Sequence, residues 1–113
     1  MKEFKKTLLI DLDGVLNTYH GDYNNDFIPP IRDGAKELLE KLYLEYEIKL
    51  FTSRNKLLAC KWIIENDLDK FITDVTSEKQ PAFLYIDDRA ISFNGNYSEL
   101  FEDIKNFKVW YSA

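Results

Sequence analysis

The sequence predicts an α/β fold: a mainly parallel sheet covered by helices on both faces, a three-layer sandwich. Two observations carry that expectation. Short apolar runs alternate with segments of helical period in the order strand, helix, strand, helix, strand, and helical crossovers imply parallel strands. Three of the runs also end in polar residues: Asp11 and Asp13; Thr52, Ser53 and Arg54; Asp87 and Asp88. In such sheets ligands bind beyond the carboxyl ends of the strands, so these groups are expected to meet at one edge.

The first strand is expected over residues 7–12. Thr7-Leu8-Leu9-Ile10 is an apolar run without helical period, which reads as a buried strand. It empties into Asp11 and Asp13, which share a face because strand side chains alternate. Two carboxylates at the end of a buried strand are costly to fold unless a cation compensates them. Taken alone, the stretch is equally open to a hairpin, with Asp13-Gly14 as a type I′ turn. A calcium loop does not fit, because its glycine belongs at the sixth position and its glutamate later. The crossover helix that follows turns the balance from hairpin to site.

Residues 17–26 are polar, aromatic and turn-prone, and Pro29-Pro30 closes them into a loop or small flap of a length often tied to function. Ile31, Ala35, Leu38, Leu39 and Leu42 then mark one face of a helix, started by Pro30 or capped by Asp33. A second strand is expected over 47–52 and a second helix from Leu57 to about Asn66. Residues 71–75 and 83–86 read as the third and fourth strands. Beyond them the pattern predicts a short strand at 91–93, a turn at Asn94-Gly95, and a helix over 97–107. Asn96 and Glu99 are spaced as its capping box. Residues 108–111 read as a last edge strand.

The 113 residues are 45% hydrophobic and 15% aromatic, enough for one core and against disorder, so a single domain over 1–113 is expected. A net charge of −5 gives no long-range attraction to nucleic acid or an anionic membrane. The single Cys60 has no internal disulfide partner, and no run approaches the length of a membrane span. The apolar stretch near the N-terminus is too short for a signal peptide. A cytoplasmic protein is the expectation.

At this point the residues resemble the haloacid dehalogenase-like superfamily of phosphohydrolases. Its first motif, an apolar strand followed by D-x-D-x-[TV], matches Ile10-Asp11-Leu12-Asp13-Gly14-Val15. The second, Thr or Ser closing the next strand, matches Phe51-Thr52-Ser53, with Thr52 preferred because it directly ends the apolar alternation. The third, a lysine, matches Lys79, followed here by Gln80 before Pro81 where many relatives read Lys-Pro. The fourth, apolar residues then paired acids, matches Tyr85-Ile86-Asp87-Asp88. All four occur in order over residues 7–89.

The resemblance implies a Rossmann-like fold and a Mg²⁺-dependent phosphatase working through an aspartyl-phosphate. Asp11 would be the nucleophile and Asp13 the acid and base. Asp11 and the Asp13 backbone carbonyl would hold Mg²⁺, with Asp87 or Asp88 completing the set and the other acting through water or Lys79. Thr52 would donate to a phosphoryl oxygen, and Lys79 would stabilise the transition state by its charge. Ser53, Arg54 and Arg89 adjoin the motifs as candidate phosphate ligands, although pairing with local acids is the commoner role for such arginines. His20 reads as a loop residue and Cys60 as core filler. Tyr19, Tyr23 and Phe27 either stack on substrate or pack the flap.

Relatives often carry a cap domain in one of two gaps, and neither gap has room for one here. A capless, open site implies a phosphorylated small molecule or macromolecule end as substrate, or closure by a homo-oligomer. The acidic balance disfavours a polynucleotide. The alternatives are a phosphate-binding or regulatory module without useful turnover, and a structural domain whose acids are incidental.

Overall fold

A computed structural model describes residues 4–111. Four parallel strands form one sheet: β1 (Lys6–Asp11), β2 (Tyr46–Phe51), β3 (Ile72–Thr76) and β4 (Leu84–Ile86). Three helices, α1 (Ala35–Leu42), α2 (Lys56–Glu65) and α3 (Tyr97–Asn106), accompany it. The fold is therefore α/β with an all-parallel, Rossmann-like sheet. The hairpin reading of Asp13-Gly14 falls, because β1 pairs in parallel with both β2 and β4.

Strand order is β3-β2-β1-β4. The chain steps outward from β1 to β2 to β3, then returns to lay β4 on the other side of β1. Its direction reverses between β1 and β4, and that switch point opens a crevice at the carboxyl ends of these two strands. Register fixes what faces the crevice. Ile10 lies opposite Ile86, so Asp11 and Asp87, the next residues, leave the sheet side by side.

The core lies mainly on one face of the sheet. Leu8, Ile10, Ile48 and Leu50 pack against Ala35 and Leu39 of α1 and Ala59, Trp62 and Ile63 of α2. The alternate residues, Leu9, Asp11, Lys49 and Phe51, belong to the other face, as period-two strands require. No helix among the described residues is long and apolar enough to cross a membrane.

Several boundaries differ from expectation for local reasons. Helix α1 starts after Gly34, whose φ of 90° is left-handed, and no side chain caps it; neither Pro30 nor Asp33 plays the expected part. Helix α2 is capped by Asn55, whose Oδ1 accepts from the backbone N–H groups of Leu57 and Leu58. Asn96 caps α3 by accepting from the Glu99 N–H, but the Glu99 carboxylate turns to Asn94 instead of completing the box. Residues 91–93 form no strand, and neither do 108–111. Helix α3 buries no residue; its period reports an amphipathic helix without saying what covers it.

Candidate active site

Asp11 is the last residue of β1, and Asp87 and Asp88 follow directly on β4. One carboxylate oxygen from each lies within 4.8 Å of the others. Three hard anionic oxygens so close repel one another in the absence of a cation. Burial, then the charges of Asp87 and Asp88, push the Asp11 carboxyl up to about 8. Such a donor set fits a hard divalent cation of the Mg²⁺ type.

That shift has a direction that can be tested. Unfolded Asp11 loses its proton near pH 4. The folded, metal-free protein keeps it to about 8. Across the interval the folded state holds the extra proton, so this group's contribution to stability falls as pH rises. A cation competes with that proton, so the stabilisation it gives should grow over the same interval. Thermal unfolding across this window, with and without Mg²⁺, is expected to show the two trends diverging. A Mg²⁺ increment that stays flat with pH would contradict the assignment.

Asp13 stands apart from the trio. Its carboxylate is held by Arg54 Nε at 2.9 Å and by Asn17 Nδ2, also at 2.9 Å. The side chain of Asp13 is thus no member of the cation cluster, and any metal role is left to its backbone carbonyl, as the resemblance implies. Arg54 takes the commoner of its two expected roles and pairs with a local acid, Asp13. Its side chain is fully buried, and Nη1 donates to the backbone carbonyls of Asn24 and Phe27 at 2.7 and 3.1 Å. The guanidinium lies over the Tyr23 ring at 4.5 Å. Arg54 is thus a buried cation that ties Asp13 to the flap through Nε and Nη1, with Nη2 buried and without a hydrogen-bond partner.

Asn17 was not singled out by the sequence. It is fully buried, and its Oδ1 accepts from the backbone N–H of Gly14 and of Tyr19 while its amide donates to Asp13. Its isolated bridge to Ile31 closes the base of the flap. The only sequence signal was a turn-type residue in a polar loop.

Thr52 sits at the end of β2 as expected, but it is buried, and its Oγ1 accepts the Arg54 backbone N–H at 3.1 Å. Ser53 is exposed beside it. Lys79 meets Asp11 and Asp87 across a cavity of about 260 Å³, whose other walls are Leu9, Phe51, Tyr85, Ile86, Arg89 and Ala90. The Lys79 ammonium rests over the Tyr85 ring at 4.5 Å. Of the sequence candidates, Asp11, Asp87, Lys79 and Arg89 line this cavity, with Asp88 joined through the trio; Asp13, Thr52, Ser53 and Arg54 do not. His20 is exposed in the flap, 4.0 Å from Asp22.

The C-terminal segment also reaches this site. Trp110 Nε1 donates to the Gly14 carbonyl at 2.7 Å, and the Tyr111 hydroxyl donates to Asp88 Oδ2 at 2.9 Å. Gly14 has a φ of 83°, and a Cβ there would overlap the Asp88 carboxylate and touch Tyr111. Gly14→Ala is accordingly expected to lose about 1–2 kcal/mol from backbone conformation alone. Because Asp88 must also move, the rise in unfolding temperature that a divalent cation held by the trio would give should shrink. Unfolding scans with and without Mg²⁺ separate the two effects.

Comparison with known proteins adds to the fold. No family model matches the sequence, and no curated protein matches it. The chain is similar to the solved structure of a conserved protein from Bacteroides thetaiotaomicron, at 22% identity. The match covers 95% of each chain with a TM-score of 0.61. At that identity the likeness shows the fold alone.

Proposed function

We propose that the protein is a Mg²⁺-dependent phosphatase that hydrolyses a phosphoric monoester through an aspartyl-phosphate on Asp11. The observation carrying this reading is the convergence of Asp11, Asp87 and Asp88 at the switch point, with Lys79 on the same cavity. Bound by these acids, Mg²⁺ would keep Asp11 ionised and neutralise charge on the phosphoryl group.

Asp11 attacks phosphorus through a carboxylate oxygen; the bond to the ester oxygen breaks as the new one forms. In this reading Asp13, once it has taken up a proton, gives it to the departing oxygen, then takes one from the water that attacks the phosphoryl-enzyme, releasing phosphate and restoring Asp11. Arg54 and Asn17 hold the Asp13 carboxylate in one orientation. Lys79 contributes positive charge beside the transferring group. A cavity of about 260 Å³ lies below the range typical of drug-sized ligands, which suits a small phosphate ester. The reading puts the protein in the cytoplasm, where its one cysteine, Cys60, stays a thiol.

A second reading, a phosphate-binding module without turnover, draws support from Asp13 being locked by Arg54 and from Thr52 lying off the cavity. The discriminating experiment is turnover of an aryl phosphate with Mg²⁺ by wild type and Asp11→Asn. Turnover that a chelator removes and Asp11→Asn lacks supports the enzyme. Equal rates in the two proteins sink it.

A further inference from the structure

We propose that Tyr111 is the positioning residue for the cation ligand Asp88, so that the C-terminal Trp110-Tyr111 segment completes the acidic site. The proposal rests on the cation reading above and adds to it a part of the chain 23 residues beyond Asp88 and 96 beyond Gly14.

Asp88 needs outside support. It follows an edge strand of three residues that pairs with β1 alone. Asp87 is fixed locally, because its Oδ1 accepts the Arg89 backbone N–H at 3.0 Å. Among the described residues outside the acidic trio, the Tyr111 hydroxyl donates to the Asp88 carboxylate. A carboxylate has about four lone-pair sites, so one phenol leaves the others for a cation. Supporting hydrogen bonds of this kind orient metal-ligating groups.

The phenol is itself held from several sides. Tyr111 meets the edge of Tyr19 with ring centroids 6.0 Å apart, and Trp110 at 5.4 Å. Trp110 is anchored by its bond to the Gly14 carbonyl and by the Arg32 guanidinium, 4.3 Å from its ring. The flap, the turn after β1, the residues before α1 and the acid pair after β4 thus share one aromatic clasp. Gly14 fits this arrangement, since any side chain there would strike both Asp88 and Tyr111.

The test is a calorimetric titration of the whole metal-free protein with Mg²⁺, using wild type, Tyr111→Phe, Trp110→Phe and the distant control Tyr97→Phe. Tyr111→Phe keeps the ring and removes only the hydroxyl. It is expected to raise the Kd for Mg²⁺ on the order of tenfold or more. Its metal-free unfolding temperature should stay near that of wild type. Trp110→Phe should weaken binding in the same sense, and Tyr97→Phe should bind as wild type does. A merely structural Tyr111 would lower the metal-free unfolding temperature and leave the Kd alone. Wild-type affinity in Tyr111→Phe, while Asp88→Asn binds no Mg²⁺, overturns the clasp and spares the cation site. Failure of wild type to bind Mg²⁺ overturns both.

Discussion

Asp11→Asn is expected to abolish Mg²⁺-dependent hydrolysis of an aryl phosphate while leaving the metal-free protein as stable as wild type or more so at neutral pH. The loss should be about 10⁴-fold or more, the scale seen when a nucleophile is removed from a covalent mechanism. The stability half follows from the same carboxylate. Burial and the neighbouring acids push Asp11 up to about 8, so the metal-free fold already favours its neutral form. An amide of the same shape carries no charge to desolvate and relieves repulsion on Asp87 and Asp88. Mg²⁺ should then stabilise the variant far less than wild type. Steady-state kinetics and paired unfolding scans read the two halves separately. A variant that lost activity by unfolding would speak against a role in the chemistry.

The acids were legible because a buried strand rarely ends in carboxylates without a reason, and the parallel order followed from the helical crossovers. Register did the rest: once Ile10 faces Ile86, Asp11 and Asp87 must emerge together. The partners of Asp13 were harder to read. Arg54 follows its motif directly, and nothing local distinguishes an arginine facing solvent from one buried under Tyr23. Tertiary packing makes that choice. Lys108-Val109-Trp110-Tyr111 carries β-branched and aromatic residues that suit a strand, yet strand propensity reports a half-buried surface more than a hydrogen-bonding partner. Here Trp110 and Tyr111 found their partners at Gly14 and Asp88 instead of at a sheet edge. Leu57 and Ile64 are apolar residues of the second helix, but they stand 80% and 62% exposed. Helix α2 is therefore apolar beyond the face it buries, and periodicity alone did not identify that face.

Arg54→Met should destabilise the fold by about 3–5 kcal/mol, the range for removing one partner of a buried ion pair. The 0% exposure of the Arg54 side chain and the 19% of Asp13 place the pair in that class. Methionine fills much of the same volume, so the loss reports charge and hydrogen bonds more than a cavity. Asp13 would keep Asn17 but lose its cation, and the Asn24 and Phe27 carbonyls would lose their shared donor. The expected fall in unfolding temperature is roughly 10–20 °C. Asp13→Asn should also destabilise, since it leaves the guanidinium buried without its counter-ion. Combining Arg54→Met with Asp13→Asn should therefore harm the fold less than the separate losses added together, with a coupling on the order of 1–3 kcal/mol. This cycle bears on catalysis too. If Arg54 holds Asp13 in its working orientation, Arg54→Met assayed at a temperature where it remains folded should still turn over substrate slowly. Wild-type stability in Arg54→Met, or strictly additive losses in the double variant, would show that the pair does not hold the flap to the site.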